Sequence, residues 1–224
     1  MIDIFNEINS LKKKIVPVNS GHGLVQECLC DTIECRINEL EKNGMCGNET
    51  LFNELCFCLL TANFNAEKSM RIQNELGSGF YSLPKDKLLS ELKRLGHRFP
   101  NARSEYILAA RAHRNKLRKL IDDLSSDELA LREWFVKNVK GLGYKESSHY
   151  LRNIGFKNYA IIDFHIIDIL ADNNYIERPK SKSLTRKTYL EIEDVLKKIA
   201  KKLDLNLSEL DFYLWYIETG KVLK

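Results

Sequence analysis

The sequence predicts an all-α protein of about ten helices, and two observations carry that prediction. Apolar residues recur at three- and four-residue spacing along most of the chain. Only 11 Gly and 4 Pro occur among the 224 residues, which is few for a chain built from many strands and turns. Hydrophobic residues make up 44% and charged residues 29%, as in globular proteins, so the composition argues against a disordered chain.

Three helices are predicted in the first part of the chain. The first covers residues 4–11, and a long second helix covers Leu24 to Leu40, where apolar residues keep helical spacing. The apolar run Leu51–Ala62 predicts a central helix. It ends at the polar sequence that begins with Asn63, where we expect a junction between helices.

The helices predicted in the second part are 127–138, one beginning at Tyr144, one after Asp163, 184–203 and 207–218. Ser125, Ser126 and Asp127 are the candidate N-caps of the first of these helices, and Asp163 is that of the third. Their side chains can accept hydrogen bonds from the first free N–H groups. Ser208 and Asp211 form a capping-box-like start for the last helix.

Six cysteines are present, and their positions predict reduced, buried thiols. Cys28, Cys30 and Cys35 fall in one predicted helix, and Cys56 and Cys58 fall in another. No C-x-x-C pair occurs, so the sequence predicts no metal site.

The sequence also indicates a location. No run of 18 or more residues is uniformly apolar, so no membrane span and no membrane partner are predicted. The first residues include Asp3 and Glu7 and do not resemble a basic and then apolar signal peptide. We therefore expect a cytoplasmic protein.

Positive charge is concentrated in two segments. Residues 85–120 hold 11 basic and 3 acidic residues, and residues 176–202 hold 9 basic and 4 acidic residues. Basic clusters of this kind suit a phosphate-rich partner such as DNA. On charge alone, solvated helix faces account for them equally well.

The segment Val139-Lys-Gly-Leu-Gly-Tyr-Lys145 is the most informative one. Gly141 and Gly143 stand one residue apart between two predicted helices, where glycine permits a tight turn and the close approach of another chain. The N–H groups at the start of the second helix can bind a phosphate, with Lys140 beside them. This pattern predicts a hairpin that grips a DNA backbone; the alternative is a tight helix–helix turn.

Lys145 and Asp163 give this hairpin a possible chemistry. Lys145 lies at the start of the helix after the hairpin, and Asp163 follows it by 18 residues. A lysine amine can act as a nucleophile, and a carboxylate nearby can accept its proton. Taken singly, Lys145 fits a surface residue and Asp163 a plain N-cap.

With these motifs, the chain resembles the helix-hairpin-helix DNA glycosylase superfamily, and within it the short archaeal-type 8-oxoguanine DNA glycosylase/AP lyases. The resemblance covers nearly the whole chain. It rests on these blocks: Glu54–Phe64, Leu95–Phe99, Lys140–Glu146, Leu151–Gly155, Ile161–His165, Ser208–Asp211 and Trp215–Lys224.

The resemblance implies one unit of two helical lobes over residues 1–224. The central lobe spans about 50–140, the hairpin and catalytic loop span 127–172, and residues 1–49 and 173–224 form the remaining lobe. It implies a bifunctional enzyme that excises 8-oxoguanine from double-stranded DNA and then cuts the strand.

The resemblance also implies roles for single residues. Lys145 would be the nucleophile that forms a Schiff base, and Asp163 would assist it. By position, the candidates for the base pocket or for the wedge in the duplex are Asn63, Phe99, Trp215 and Lys224. The residues that would bind the DNA backbone are Lys140, Gly141 and Gly143. Asn63 fits a helix C-cap equally well, and buried aromatic residues are usually core.

The resemblance implies no required cofactor, although the hairpin carbonyls could hold a monovalent cation, and it implies a monomer. The cysteines that bind an iron–sulfur cluster in related enzymes are absent, since no Cys follows Cys58. Two alternatives stay open. One is a glycosylase for another damaged base, and the other is a DNA-binding module without catalytic activity.

Overall fold

The computed structural model of the protein describes residues 3–19, 24–181 and 183–224. It confirms the predicted all-α class, because helices dominate these ranges beside one small antiparallel sheet. No helix within them is long and apolar enough to cross a membrane.

The described residues form 13 helices and two strands, a few more helices than the sequence pattern predicts. The elements are α1 (Ile4–Leu11), β1 (Ile15–Asn19), β2 (Leu24–Cys28), α2 (Leu29–Met45), α3 (Asn48–Thr61), α4 (Ala66–Leu76), α5 (Gly79–Ser82), α6 (Lys85–Arg94), α7 (Pro100–Ala110), α8 (Leu117–Leu124), α9 (Glu128–Asn138), α10 (Tyr144–Asn153), α11 (Phe164–Asp172), α12 (Arg186–Lys202) and α13 (Leu207–Thr219).

The chain divides into two compact units. Unit 1 consists of Met1–Leu40 and Gly155–Lys224, and unit 2 of Glu41–Ile154. Unit 2 therefore contains α9, the hairpin and α10, whereas the segment around Asp163 belongs to unit 1.

The prediction of one long helix from Leu24 to Leu40 is wrong in its first turns. Leu24–Cys28 form strand β2, which pairs antiparallel with β1, and Val25 lies opposite Val18. Leu24 and Val25 fit a helix start or a short strand equally well. Pairing with the β-branched residues of β1 decides between them, and periodicity within one segment cannot detect such a partner.

Two contacts organise the ends of the helices in unit 1. The Lys12 ammonium donates a hydrogen bond of 2.6 Å to the carbonyl of Leu203 at the end of α12, where a cation also favours the helix dipole. Helix α13 is capped by Asn206, not by Ser208 as the sequence pattern indicates. Asn206 and Glu209 exchange two hydrogen bonds, of 2.7 and 3.0 Å, and so satisfy two N–H groups at once.

Helix α3 lies at the centre of unit 2 and is buried from Leu51 to Thr61 except for half-buried Asn53. This buried part includes one acidic residue, Glu54, whose carboxylate accepts hydrogen bonds from Gln73 at 3.0 Å and Asn153 at 3.2 Å. These contacts allow a carboxylate inside an otherwise apolar helix.

The last turn of α2 makes a close backbone contact in unit 2. A Cβ atom added at Gly44 would overlap the carbonyl oxygen of Ile154 and lie 2.9 Å from its carbonyl carbon. Only glycine therefore allows this approach.

The cysteine prediction holds for one pair only. Cys56 and Cys58 are buried free thiols, and burial raises the pKa of Cys56 well above its usual value. The prediction is wrong for Cys35 and Cys46, which are exposed free thiols. It is also wrong for Cys28 and Cys30, which are joined in a disulfide. The junction of β2 with α2 brings the Cα atoms of Cys28 and Cys30 to 5.2 Å, within the range that a disulfide spans.

Candidate active site

The predicted hairpin is present between α9 and α10. Gly141 has φ 95°, a conformation that favours glycine, and its backbone packs on the ring of Tyr106. A Cβ atom at Gly141 would lie 2.9 Å from Cε2 of that ring and closer still to Cδ2. Gly143 is the N-cap of α10 with φ −93°, an angle that other residues also adopt.

The amide groups of the hairpin are partly occupied. The Leu142 N–H donates to the Val139 carbonyl at 3.1 Å, and the Gly143 N–H donates to the Glu146 carboxylate at 3.2 Å. Lys140 is exposed, and its ammonium lies 5.6 Å from the centre of the Tyr106 ring. The turn thus combines an exposed cation with the positive end of α10, and Glu146 caps that end with a negative charge.

Lys145 is the second residue of α10 and is half-buried. Within the described residues of unit 2 its ammonium makes no salt bridge. The residue before it is firmly held, because the Tyr144 hydroxyl donates to Glu133 and the Arg132 guanidinium lies 5.5 Å from the centre of the Tyr144 ring. Packing therefore fixes the backbone from which the Lys145 side chain extends.

Asp163 is the N-cap of α11, as the sequence predicts. Its Oδ1 accepts a hydrogen bond of 3.1 Å from the Ile166 N–H, and the residue is half-buried. One carboxylate oxygen thus holds the helix start. Within the described residues of unit 1, Oδ2 has no hydrogen-bond donor.

The extended segment before Asp163 is held by two side chains of α12. The Tyr189 hydroxyl donates to the Ala160 carbonyl at 2.7 Å and accepts from the Ile162 N–H at 3.3 Å. The buried Glu193 carboxylate accepts from the Ala160 N–H at 3.1 Å. Tyr189 and Glu193, one helical turn apart, fix the path that leads to Asp163.

The sequence reasoning did not identify this pair. Residue 161, two positions before Asp163, is an isoleucine, so no proline stiffens this position. The segment is ordered by hydrogen bonds from another helix. The available signal was an acidic residue, Glu193, on the apolar face of a predicted helix.

The unit 2 candidates for the base pocket are Asn63 and Phe99. Asn63 is exposed and follows the Ala62 C-cap of α3 with φ 57°, so the C-cap interpretation also fits its position. Phe99 is 37% exposed, which is unusual for so large an apolar ring. Both side chains are therefore accessible to a ligand.

The unit 1 candidates are Trp215 and Lys224. Trp215 lies on α13 and is half-buried, and its indole N–H is buried without a hydrogen-bond partner in the described part of unit 1. A buried donor of this kind is uncommon and suits a ligand acceptor. Helix α13 ends at Gly220 in the left-handed conformation, and Lys224 beyond it is half-buried.

One group of potential metal ligands occurs in the described ranges. The ligand atoms of Cys28, Cys30 and Asp31 lie within 4.8 Å of one another. The two sulfur atoms are joined in a disulfide, so only the Asp31 carboxylate is available in this state. The group lies on β2 and α2, outside the hairpin and the Asp163 segment.

Comparison with known proteins identifies the family. A family model described as 8-oxoguanine DNA glycosylase matches residues 33–205. The chain is 54% identical to the 8-oxoguanine DNA glycosylase/AP lyase of Korarchaeum cryptofilum over 194 residues, which cover 87% of this chain and 91% of that protein. The chain belongs to the 8-oxoguanine DNA glycosylase family.

Solved glycosylases of this family share the fold. The Methanocaldococcus jannaschii 8-oxoguanine glycosylase/lyase, in complex with a 15mer DNA containing 8-oxoguanine, matches with a TM-score of 0.89 and 45% identity over 100% of both chains. The 8-oxoguanine DNA glycosylase of Thermotoga maritima matches with a TM-score of 0.82 and 40% identity over 87% of this chain and 92% of that one.

Each unit of this glycosylase-family chain brings together part of the predicted site. Unit 2 carries the hairpin, Lys145, Asn63 and Phe99, and the backbone of the hairpin packs on α7 through Tyr106. Unit 1 carries the second group of candidates: Asp163, Trp215 and Lys224.

Proposed function

We propose that the protein is a DNA repair enzyme that excises 8-oxoguanine from double-stranded DNA and cleaves the strand at the resulting site. The observation that carries the proposal is Lys145, a half-buried lysine directly after a Gly141-Leu-Gly143 hairpin in a chain of the 8-oxoguanine DNA glycosylase family. A phosphate grip alone needs the hairpin but not a lysine at this position.

The reaction begins with Lys145 as a neutral amine. Its Nζ attacks C1′ of the damaged nucleotide, the glycosidic bond breaks, and the bonding electrons leave with the base, which takes up a proton. Nζ then gives one proton to the Asp163 carboxylate, the bond between C1′ and the ring oxygen O4′ breaks, and O4′ takes up a proton. This leaves a protonated Schiff base between Nζ and C1′. Removal of a 2′ proton allows the bond to the 3′ phosphate oxygen to break.

Asp163 supports the early steps of this sequence. An ionised carboxylate stabilises the positive charge that develops on the sugar and can accept a proton from the amine. Its Oδ1 is bound to the Ile166 N–H, and its other oxygen makes no hydrogen bond in the described part of unit 1. That division is consistent with a residue that caps α11 with one oxygen and serves the reaction with the other.

The hairpin positions the DNA by its backbone. The Gly141 amide and the Lys140 ammonium bind phosphate without reading bases, and the Gly143 amide joins them when phosphate replaces the Glu146 carboxylate as its acceptor. Binding should therefore weaken steeply with salt. The proposal includes a monovalent cation bound by the hairpin carbonyls and no other cofactor. It also includes a monomeric enzyme in the cytoplasm.

The test is borohydride trapping on a labelled duplex with one 8-oxoguanine. The wild type should give a covalent adduct that Lys145→Gln abolishes, because only the amine forms a reducible Schiff base. Lys140→Gln is the matched control, since it removes an exposed lysine from the same hairpin. It should retain trapping once the DNA is saturated.

Each contrary result leads to a different conclusion. A wild type that binds duplex DNA but traps on no damaged base is a binding module, whereas trapping on an oxidised pyrimidine only would assign another lesion. Adduct formation by Lys145→Gln at the wild-type rate would exclude Lys145 as the nucleophile. Asp163→Asn should lose far more activity than DNA affinity, and an equal loss of both would leave Asp163 as a structural cap.

A further inference from the structure

His97 connects the turn before Asn63 to the backbone of Phe99. The Phe99 N–H donates to Nδ1 of His97 at 3.0 Å, so the ring proton is on Nε2, which lies 3.1 Å from the Leu60 carbonyl. The imidazole is 4% exposed and packs on the Phe64 ring, with ring centres 4.2 Å apart. In this neutral tautomer, His97 bridges the end of α3 and the start of α7.

Arg103 makes a second connection between the same two segments. Its guanidinium donates to the carbonyl of Ala62, the residue before Asn63. The guanidinium carbon lies 5.8 Å from the centre of the Phe99 ring and 5.6 Å from that of Tyr106. Arg103 therefore holds the Asn63 turn from one side and stacks against the exposed Phe99 ring on the other.

A contribution to folding stability does not explain why an arginine is buried at position 103. Arg103 is 7% exposed, and its buried Nε has no hydrogen-bond partner among the residues that the structure describes. Burial lowers the pKa of its guanidinium, with Tyr106 and Glu146 partly compensating. A buried cation that binds a single carbonyl instead of a carboxylate costs free energy that an apolar residue of similar size would avoid.

Helix α7 extends the connection to the hairpin. Arg103 and Tyr106 are three residues apart on α7 and so share one face. The Tyr106 ring lies against Gly141 and beneath the Lys140 ammonium. One face of α7 thus touches the phosphate-gripping hairpin at one point and the Asn63 turn at another.

We propose that His97 and Arg103 are positioning residues for base eversion: they clamp the Asn63 turn and Phe99 to α7, at a fixed place relative to the hairpin. The clamp presents Asn63 to the gap in the duplex and Phe99 to the everted base. This inference rests on the proposed function and assigns residues that act through Asn63 and Phe99, without touching the reacting atoms.

The first test uses the free protein and does not depend on the reaction. Hydrogen exchange of the peptide covering residues 60–65 is compared in the wild type, Arg103→Met and Arg103→Lys. We expect exchange at least about 10-fold faster in Arg103→Met, because a charge-assisted hydrogen bond to the turn is lost. Arg103→Lys keeps the charge and one donor, so it should recover much of the protection. Unchanged exchange in Arg103→Met would overturn the clamp.

The second test asks whether Arg103 acts through Asn63. Single-turnover release of 8-oxoguanine, and the fluorescence of 2-aminopurine next to the lesion, are measured for Asn63→Ala, Arg103→Met and the double variant. Arg103→Met should slow release about 10-fold or more in the wild-type background and less than about 3-fold beside Asn63→Ala.

Arg98→Met is the matched control, because Arg98 also stacks on the Phe99 ring, at 5.0 Å, but is exposed and makes no hydrogen bond to the turn. Its effect should add to that of Asn63→Ala. If the enzyme is active and the effect of Arg103→Met on the release rate simply adds to that of Asn63→Ala, the clamp is overturned. A wild type that releases no 8-oxoguanine would instead overturn the proposed function, and the exchange experiment would still judge the clamp.

Discussion

Replacing Gly141 by alanine tests the hairpin geometry most directly. The φ of 95° lies beyond the left-handed helical region and costs a non-glycine residue about 1–2 kcal/mol. The new methyl group would also lie 2.9 Å or less from two carbons of the Tyr106 ring, and overpacking of this kind costs about 1–3 kcal/mol. Together the two costs give about 2–5 kcal/mol.

Gly96→Ala separates these two contributions. Gly96 has φ 75°, and no atom lies within 4 Å of a Cβ built on it, so only the backbone cost of about 1 kcal/mol applies. For a chain of this length, each kcal/mol lowers the melting temperature by about 2–4 °C. Gly96→Ala should therefore melt about 2–4 °C below the wild type, and Gly141→Ala about 4–20 °C below it.

Affinity for an undamaged duplex gives a second measurement. A displaced hairpin loses phosphate contacts, so Gly141→Ala should bind about 10-fold more weakly and with a shallower salt dependence, while Gly96→Ala binds as the wild type does. If Gly141→Ala has the same melting temperature as Gly96→Ala and binds DNA as the wild type does, the hairpin conformation does not depend on its close packing against Tyr106.

Three further predictions follow from single contacts. Gly44→Ala should destabilise the protein by about 3 kcal/mol or more in thermal unfolding, because its methyl group would meet the Ile154 carbonyl; a loss below about 1 kcal/mol would show that the backbone yields easily. Glu146→Gln keeps an acceptor for the Gly143 N–H but removes a charge from the phosphate site, so DNA should bind a few-fold more tightly at low salt, and weaker binding would contradict this reasoning. Burial lowers the pKa of His97, so the stability that its neutral form contributes is present above about pH 6.5 and falls as the pH decreases below that value. The difference in melting temperature between the wild type and His97→Gln should therefore shrink from pH 7.5 to 5.5. A constant difference would show that His97 does not stabilise the fold through its neutral form.

Local signals in the sequence were sufficient for much of the fold. Three features that depend on neighbouring residues were predicted correctly: a helix beginning at one of Ser125 to Asp127, the break at Gly141 and Gly143, and the Asp163 cap. Strand β2 was missed because its pairing partner lies elsewhere in the chain. The cap of α13 was placed two residues late, since Asn206 with Glu209 and Ser208 with Asp211 both match a capping pattern.

The residues that hold the candidate site in place could not be predicted from local sequence either, because their partners also lie far away along the chain. Arg103 holds a carbonyl 41 residues away, and Tyr189 contacts a segment 29 residues before it. Nothing in the neighbouring sequence of either residue indicates its partner. Motifs thus supplied the candidate catalytic groups, whereas the groups that hold them in place required the three-dimensional contacts.

The division of the chain at residues 41 and 155 has a consequence for how the protein forms during synthesis. Unit 2 is one continuous segment, so it can fold as soon as it leaves the ribosome. Unit 1 must wait for its second segment, and the bond from Lys12 to Leu203 closes a loop of 191 residues. We therefore expect a nascent or truncated chain to hold a formed hairpin and Lys145 before the Asp163 segment is ordered, and so to grip DNA before it can repair it.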